Sequence, residues 1–391
     1  MGTLTDMDPK ELRERKDELF QVLSAWFYAE HRKLPWRDLE RPNPYHVWIS
    51  EIMLQQTRVT AVLGYFRRFI EILPDIPALA GVSDDELMKL WEGLGYYSRA
   101  RNLKRCAQVL IREYGGVMPS DPETLLKLPG IGPYTAGAIA SIAFGIPKAA
   151  VDGNVLRVFS RLMADRSDIA ADNTKKAYTR LLDELLTASQ APGIINQAIM
   201  DLGATVCIPG GEARCSLCPV EGFCKARQLG IADELPVKKR APARRREHRV
   251  ILILERDGKV LVGKRPEQGL LAGLYEYPGV NVTQKQWESF GPDSGGKHAL
   301  KAYETFFGQL GLAADSARFG LRSKHIFSHI EWEMIGLYVE TKEAYDAEAW
   351  AGKNLFFADA TQLKERFALP GAFSAYTNEF TWRRGEIDGR S

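Results

Sequence analysis

The sequence predicts a multidomain protein, an all-α module followed by a smaller α+β domain. Three observations carry this reading. The 391 residues exceed the usual size of one domain. From Pro9 to about Arg227 apolar residues recur at helical spacing. After Cys224 the pattern changes, and β-rich runs appear around an Asp-Gly turn. The expected boundaries are a helical domain over residues 1–229, a basic linker over 230–246, and the α+β domain over 247–391.

The helical part opens with a charged stretch, Met1 to Phe20, without an apolar core, so no signal peptide is expected. Leu12 to Phe27 reads as a helix. Pro42-Asn43-Pro44 is a loop, and Tyr45 to Phe69 reads as one long helical stretch. Ser83-Asp84-Asp85-Glu86 and Ser120-Asp121-Pro122-Glu123 are helix-start signals, with Glu123 at the capping-box offset from Ser120. Ala136 to Val151 is interrupted by Pro147 and Lys148, so it predicts a buried helix and an exit loop.

Between these elements lies Leu128-Pro129-Gly130-Ile131-Gly132-Pro133-Tyr134. Helical periodicity stops at Leu128, Gly130 and Gly132 adopt positive φ cheaply, and Pro133 suits a first helical turn. A helix–hairpin–helix over about residues 120–140 follows. Its bare backbone N–H groups beside a helix N-terminus would hold an anion such as a DNA phosphate. On spacing alone, an ordinary αα-hairpin fits equally well.

Five cysteines in a chain with no export signal point to a reducing compartment, hence a cytoplasmic location, nucleoid-associated in a bacterium. Cys207, Cys215, Cys218 and Cys224 have the spacing C-x7-C-x2-C-x5-C. Zinc ribbons usually carry two separated C-x2-C pairs, whereas four closely spaced thiolates in the loop 207–224 suit a [4Fe–4S] cluster. Cys106, alone in a helical stretch, reads as a core thiol. The formal charge of +2 does not by itself announce a nucleic-acid binder. Lys238 to Arg249 holds seven Lys or Arg and one acid and reads as a solvated linker.

In the α+β part, Arg249 to Leu254 and Lys259 to Val262 flank Asp257-Gly258 and predict a hairpin. Phe327-Ser328-His329 lies between β-like segments and reads as an exposed turn.

Leu-Pro-Gly-Ile-Gly at 128–132, Val151-Asp152-Gly153-Asn154-Val155 and the cysteine cluster together resemble the helix-hairpin-helix DNA glycosylase superfamily. Ser50-Glu51-Ile52-Met53-Leu54-Gln55-Gln56-Thr57 and Phe327-Ser328-His329 resemble its MutY-type adenine DNA glycosylases. The resemblance runs from about Pro35 to the C-terminal region. It implies the cluster as well, with a family spacing of C-x6-C-x2-C-x5-C, so the first loop here holds one extra residue among Ile208 to Arg214. Gly273 to Gly279 resembles the entry into a Nudix motif. The next segment, Glu304 to Leu312, lacks most of the carboxylates a hard cation requires, so a Nudix-like reader of a damaged base is expected, not a hydrolase.

Breaking the bond between adenine and deoxyribose calls for a proton donor at the base and a stabiliser for the positive sugar. Glu51, among apolar neighbours, suits a carboxyl with a raised pKa; a glutamate favoured by a helix N-terminus is the plain alternative. The resemblance implies that Glu51 protonates adenine at N7 and later helps to activate water. It assigns Asp152, otherwise a turn or cap residue, to the anomeric carbon, as an electrostatic stabiliser or a transient covalent partner. Tyr134 stands where endonuclease III-type relatives carry a lysine; a phenol forms no Schiff base, so a monofunctional enzyme leaving an abasic site is implied. Base flipping leaves a hole in the duplex. The resemblance implies that Gln55, Gln56, Thr57, Leu94 and Tyr96 serve as wedge and partner-strand contacts. It makes Arg37 a pocket residue and Gly130 and Gly132 phosphate contacts. It places 8-oxoguanine against Phe327, Ser328 and His329. The expected partner is double-stranded DNA with adenine opposite 8-oxoguanine or guanine, bound by a monomer with no membrane association. The competing readings are an endonuclease III-type glycosylase/lyase, a nucleotide-pool hydrolase, and a non-catalytic damage binder with a redox-sensing cluster.

Overall fold

The computed structural model describes residues 10–187, 189–210, 213–239, 243–290, 316–340 and 354–383. Among them no helix is long and apolar enough to cross a membrane. The chain divides into two compact units, residues 1–82 with 101–241 and residues 83–100 with 242–391.

In the first unit, apolar periodicity is read correctly but one continuous stretch is two helices. Pro44–Leu54, capped by the Asn43 side chain, and Val59–Ile72 are separated by Gln55 to Arg58. Gln56 takes φ 58°, which no helix allows. The first helix likewise breaks, into Lys10–Glu14 and Lys16–Glu30. The cap before Pro122–Leu125 is Asp121, not Ser120: its carboxylate accepts from the Thr124 N–H.

The hairpin forms as expected. Pro122–Leu125 leads through Gly130, at φ 77°, into Pro133–Ala138. Gly132 departs from expectation: it is the N-cap at φ −95°, a conformation open to any residue. The second helix continues as a π-helix, Ile139–Ala143. Asn196, fully buried, then fixes the exit loop, donating to Ser141 Oγ and Lys148 O and accepting from the Ala150 N–H. That loop delivers Asp152, the N-cap of Gly153–Leu162. The core of this unit joins Lys16–Glu30, Gly153–Leu162, Asp172–Leu186 and Pro192–Thr205 through Phe27, Phe159, Tyr178, Leu182 and Ile195.

Backbones touch at Gly137, where a Cβ would lie 1.9 Å from Ala149 O. Gly137→Ala is therefore expected to lower the unfolding free energy by about 1–3 kcal/mol, as overpacking does. Urea unfolding checks this; an unchanged midpoint would contradict the close approach.

The second unit is built on a sheet with, among the described residues, strands β1 (Arg245–Arg256), β2 (Lys259–Lys264), β3 (Tyr275–Glu276), β4 (Gly279–Val282), β5 (Ser316–Ile326), β6 (Ile330–Glu340) and β7 (Leu355–Ala358). The order is β3-β2-β1-β6-β5, with β4 also on β1 and β7 on β2. Among the described strands, only β1 and β6 pair in parallel. Asp257 and Gly258 both take positive φ, the signature of the two-residue turn expected there. β1 is buried on both faces, which explains its unbroken apolar run: Ile251 and Ile253 face one core, Val250, Leu252 and Leu254 the other. It starts at Arg245, earlier than the apolar run, because its basic residues pair across the sheet, as Arg246 does with Glu331 at 3.5 Å. Glu304 to Leu312 lies outside the described residues.

Candidate active site

A cavity of about 690 Å³ opens in the first unit, between the helix Pro44–Leu54, the hairpin and the start of Gly153–Leu162. Arg37, Glu51, Gln55, Gln56, Thr57, Gly130, Gly132, Tyr134 and Asp152 all line it. The break after Leu54 turns Gln55 to Thr57 to the cavity rim, where the Gln55 amide donates to Thr135 Oγ1 at 3.4 Å.

Glu51 lies in the last turn of its helix, not its first. The helix dipole there opposes a negative charge, which removes the plain alternative for this residue. The side chain is buried, and burial pushes its carboxyl up to about 7. A hydrogen bond donated by the Tyr134 hydroxyl and the charges of Arg37 and Arg32 oppose the rise, and the charge of Asp152 adds to it. The Tyr134 phenol is held well above its ordinary pKa, by burial first and then by the two carboxylates, so it stays a neutral donor.

Asp152 is both a cap and a cavity residue. Its Oδ1 accepts from the Val155 N–H at 2.8 Å and its Oδ2 from Asn154 Nδ2 at 2.8 Å. Burial raises its pKa, and these hydrogen bonds resist the rise. Two carboxyls thus share the cavity, one placed to carry a proton and one cradled by donors that favour its anion.

Sequence reasoning missed the residue that anchors two arginines of the cavity wall, Arg32 and Arg37. Asp201 is buried in the helix Pro192–Thr205 and accepts from Arg37 Nη1 at 2.7 Å and Nη2 at 3.1 Å, and from Arg32 Nε at 2.9 Å. Burial alone would raise its pKa, yet the two guanidiniums hold it below the usual range. The signal was present: Asp201 is the one acid in an otherwise uncharged helix. Also missed was Arg157, which donates to Asn154 Oδ1 at 2.9 Å and to Cys207 O at 2.8 Å. Asp152, Asn154 and Arg157 therefore link the cavity to the cysteine loop by hydrogen bonds.

Cys207, Cys215, Cys218 and Cys224 line one small cavity. Among the described residues no three His, Cys, Asp or Glu side chains converge on one metal ion. A four-iron cluster asks for something else, one thiolate on each of four separate irons. The donor set fits it. Burial pushes the Cys218 thiol up to about 12 and raises Cys224 as well, so thiolates at these two positions require a cationic core to hold them. Arg161 supplies a further donor, with Nη1 at 3.2 Å from Cys207 Sγ. Residues 211 and 212 of the enlarged first loop lie outside the described residues. Cys106 is a buried core thiol.

The remaining expected residues belong to the second unit. Tyr96 is exposed, with φ 48°, and its hydroxyl is 3.3 Å from Ser328 Oγ. Leu94 and Tyr97 are buried, so neither side chain reaches the surface. Phe327, Ser328 and His329 form the turn between β5 and β6. Phe327 packs edge-on to Trp332, while Ser328 and His329 are exposed.

Residues 49–186 match the model of the HhH-GPD superfamily of base excision DNA repair proteins, and residues 249–379 that of the NUDIX domain. The chain is 37% identical over 374 residues to the adenine DNA glycosylase of Homo sapiens, covering 81% of this chain and 66% of that protein. The corresponding enzyme of Mus musculus is 36% identical over 360 residues, covering 79% and 68%. That of Rattus norvegicus is 35% identical over 426 residues, covering 94% and 79%. The chain thus spans about two thirds to four fifths of the length of these relatives. Its helical module with the hairpin, its C-terminal Nudix-like domain and these identities place the chain among the adenine DNA glycosylases of the HhH-GPD superfamily.

Proposed function

We propose that this chain is a monofunctional DNA N-glycosylase that removes adenine opposite 8-oxoguanine or guanine and leaves an abasic site. The observation that carries the reading is the Glu51–Tyr134–Asp152 constellation: a carboxyl raised to about 7, in hydrogen-bond contact with a neutral phenol, in one cavity with a donor-cradled aspartate.

The steps follow from these groups. Adenine, flipped out of the duplex, enters the cavity that Arg37, Glu51, Tyr134 and Asp152 line. Protonated Glu51 gives its proton to N7, and Tyr134 then holds the new carboxylate. The bond between C1′ and N9 breaks with its electrons going to the base, and the positive sugar forms beside Asp152. Glu51, now ionised, takes a proton from water, whose oxygen bonds to C1′. Tyr134 cannot attack C1′ as an amine, so the strand stays intact. The hairpin N–H groups and the exposed β5–β6 turn are the expected contacts to backbone phosphate and to 8-oxoguanine. Cys207, Cys215, Cys218 and Cys224 would hold a [4Fe–4S] cluster, which when bound cross-links this loop and brings redox chemistry.

The pH dependence has a definite sign. Glu51 must be protonated, so the single-turnover rate falls in proportion to its protonated fraction as pH rises through about 7. Asp152 must be ionised, so the rate also falls on the acid side, at a pH higher than an ordinary aspartate would set, because burial raises its pKa. A rate that climbs steadily from about pH 6 to 9 would contradict the assignment of Glu51, because a general acid with a pKa of about 7 loses its proton over that range.

The function itself is tested by single-turnover base release from duplexes carrying adenine opposite 8-oxoguanine, guanine or thymine, each analysed with and without alkali. Release fastest opposite 8-oxoguanine, with strand breaks only after alkali, is expected. Breaks without alkali would point to a lyase. No release, from protein with its cluster intact, would favour a non-catalytic damage binder.

A further inference from the structure

The segment 83–100 lies within the helical part of the sequence, yet it packs as part of the C-terminal unit. Its attachments are polar and specific. In the helix Asp84–Leu90, the Asp85 carboxylate accepts from Lys264 Nζ at 2.7 Å and from the Tyr275 hydroxyl at 3.1 Å. Lys89 Nζ donates to Leu363 O at 3.1 Å and Phe367 O at 3.2 Å, at the C-terminal end of the helix Ala360–Glu365. A cation is favoured at that end. Glu92 completes the set: Oε2 accepts from Lys89 at 2.6 Å and Oε1 from the Leu369 N–H at 2.7 Å.

Directly after this clamp comes the Tyr96 loop. Gly93, Gly95 and Tyr96 all take positive φ, a conformation that a tyrosine rarely adopts. Arg99 holds it there, donating to Leu94 O at 3.2 Å, Gly95 O at 3.0 Å and Tyr96 O at 3.4 Å, while Trp91 Nε1 donates to Gly95 O at 3.1 Å. The result is an exposed aromatic ring in a strained but over-determined loop, with its hydroxyl at Ser328.

We infer that Lys89 and Glu92, with Asp85, are positioning residues that set Tyr96 in register with Ser328, so that preference for adenine opposite 8-oxoguanine depends on them. This rests on the function proposed above. These contacts run to Lys264, Tyr275, Leu363, Phe367 and Leu369, apart in sequence from the exposed turn. The clamp acts by making the Tyr96 loop and the β5–β6 turn parts of one body, so that both meet the same stretch of the strand opposite adenine.

The test compares single-turnover release opposite 8-oxoguanine with that opposite guanine, for wild type, Lys89→Met, Glu92→Ala and Glu92→Gln. Loss of a charge-assisted contact should cut the 8-oxoguanine preference by about tenfold, with release opposite guanine changed by no more than about twofold. Glu92→Gln keeps an acceptor for the Leu369 N–H and serves where Glu92→Ala fails to fold. Lys89→Arg should restore the preference. Combining Lys89→Met with Ser328→Ala should add little to Ser328→Ala alone. An unchanged preference, or an equal loss on both duplexes, overturns the inference. A wild-type enzyme with no preference overturns the proposed function and this inference together.

Discussion

Replacing Glu51 with Gln should slow adenine release by about 10³-fold, within the range that general acid catalysis commonly contributes, without weakening duplex binding. The amide keeps the shape of the carboxyl and still accepts from the Tyr134 hydroxyl, but it has no proton of suitable acidity for N7. Stability should not fall, because the change removes a buried ionisable group whose charged form burial opposes. Single-turnover kinetics and equilibrium binding to a duplex with adenine opposite 8-oxoguanine separate the two properties. A rate within tenfold of wild type, by the same general-acid argument, would remove Glu51 from the chemistry.

Asp152→Asn is the second large effect, and it separates a cap from a catalyst. Asn and Asp cap helices about equally well, so the start of Gly153–Leu162 should survive with at most about 1 kcal/mol lost. The charge beside C1′ does not survive. Loss of one strong electrostatic contact to a developing charge commonly costs about 10²–10³ in rate, and that loss is expected here at almost unchanged thermal stability. If capping were the only work of Asp152, the variant would release adenine at nearly the wild-type rate.

Much of this arrangement was legible in local sequence because it is locally determined. Gly130 reverses the chain at φ 77°, Pro133 starts the helix that carries Tyr134, and Asp257-Gly258 closes the β1–β2 turn. Four cysteines within eighteen residues need no tertiary information to suggest a cluster. What was not legible is long-range or runs against periodicity. The break falls on four polar residues, Gln55 to Arg58, with no Gly or Pro to mark it, so a helix could be drawn straight through the turn that brings these side chains to the cavity. The position of Glu51 at the end of a helix depends on that break. The Asp201 contacts span 164 and 169 residues, beyond the reach of any spacing rule. The assignment of 83–100 to the C-terminal unit rests on contacts to Lys264, Leu363 and Leu369, which only the fold brings near.

The central claim is that the cavity holds Glu51 protonated near neutral pH. Its most direct test is a titration of the Glu51 side-chain carboxyl by nuclear magnetic resonance in isotope-labelled protein, with Glu51→Gln assigning the signal. The account predicts a midpoint of about 7. A midpoint near about 4.3, the value of an unperturbed glutamate, would contradict it, because Glu51 would then be ionised at the pH where it must deliver a proton.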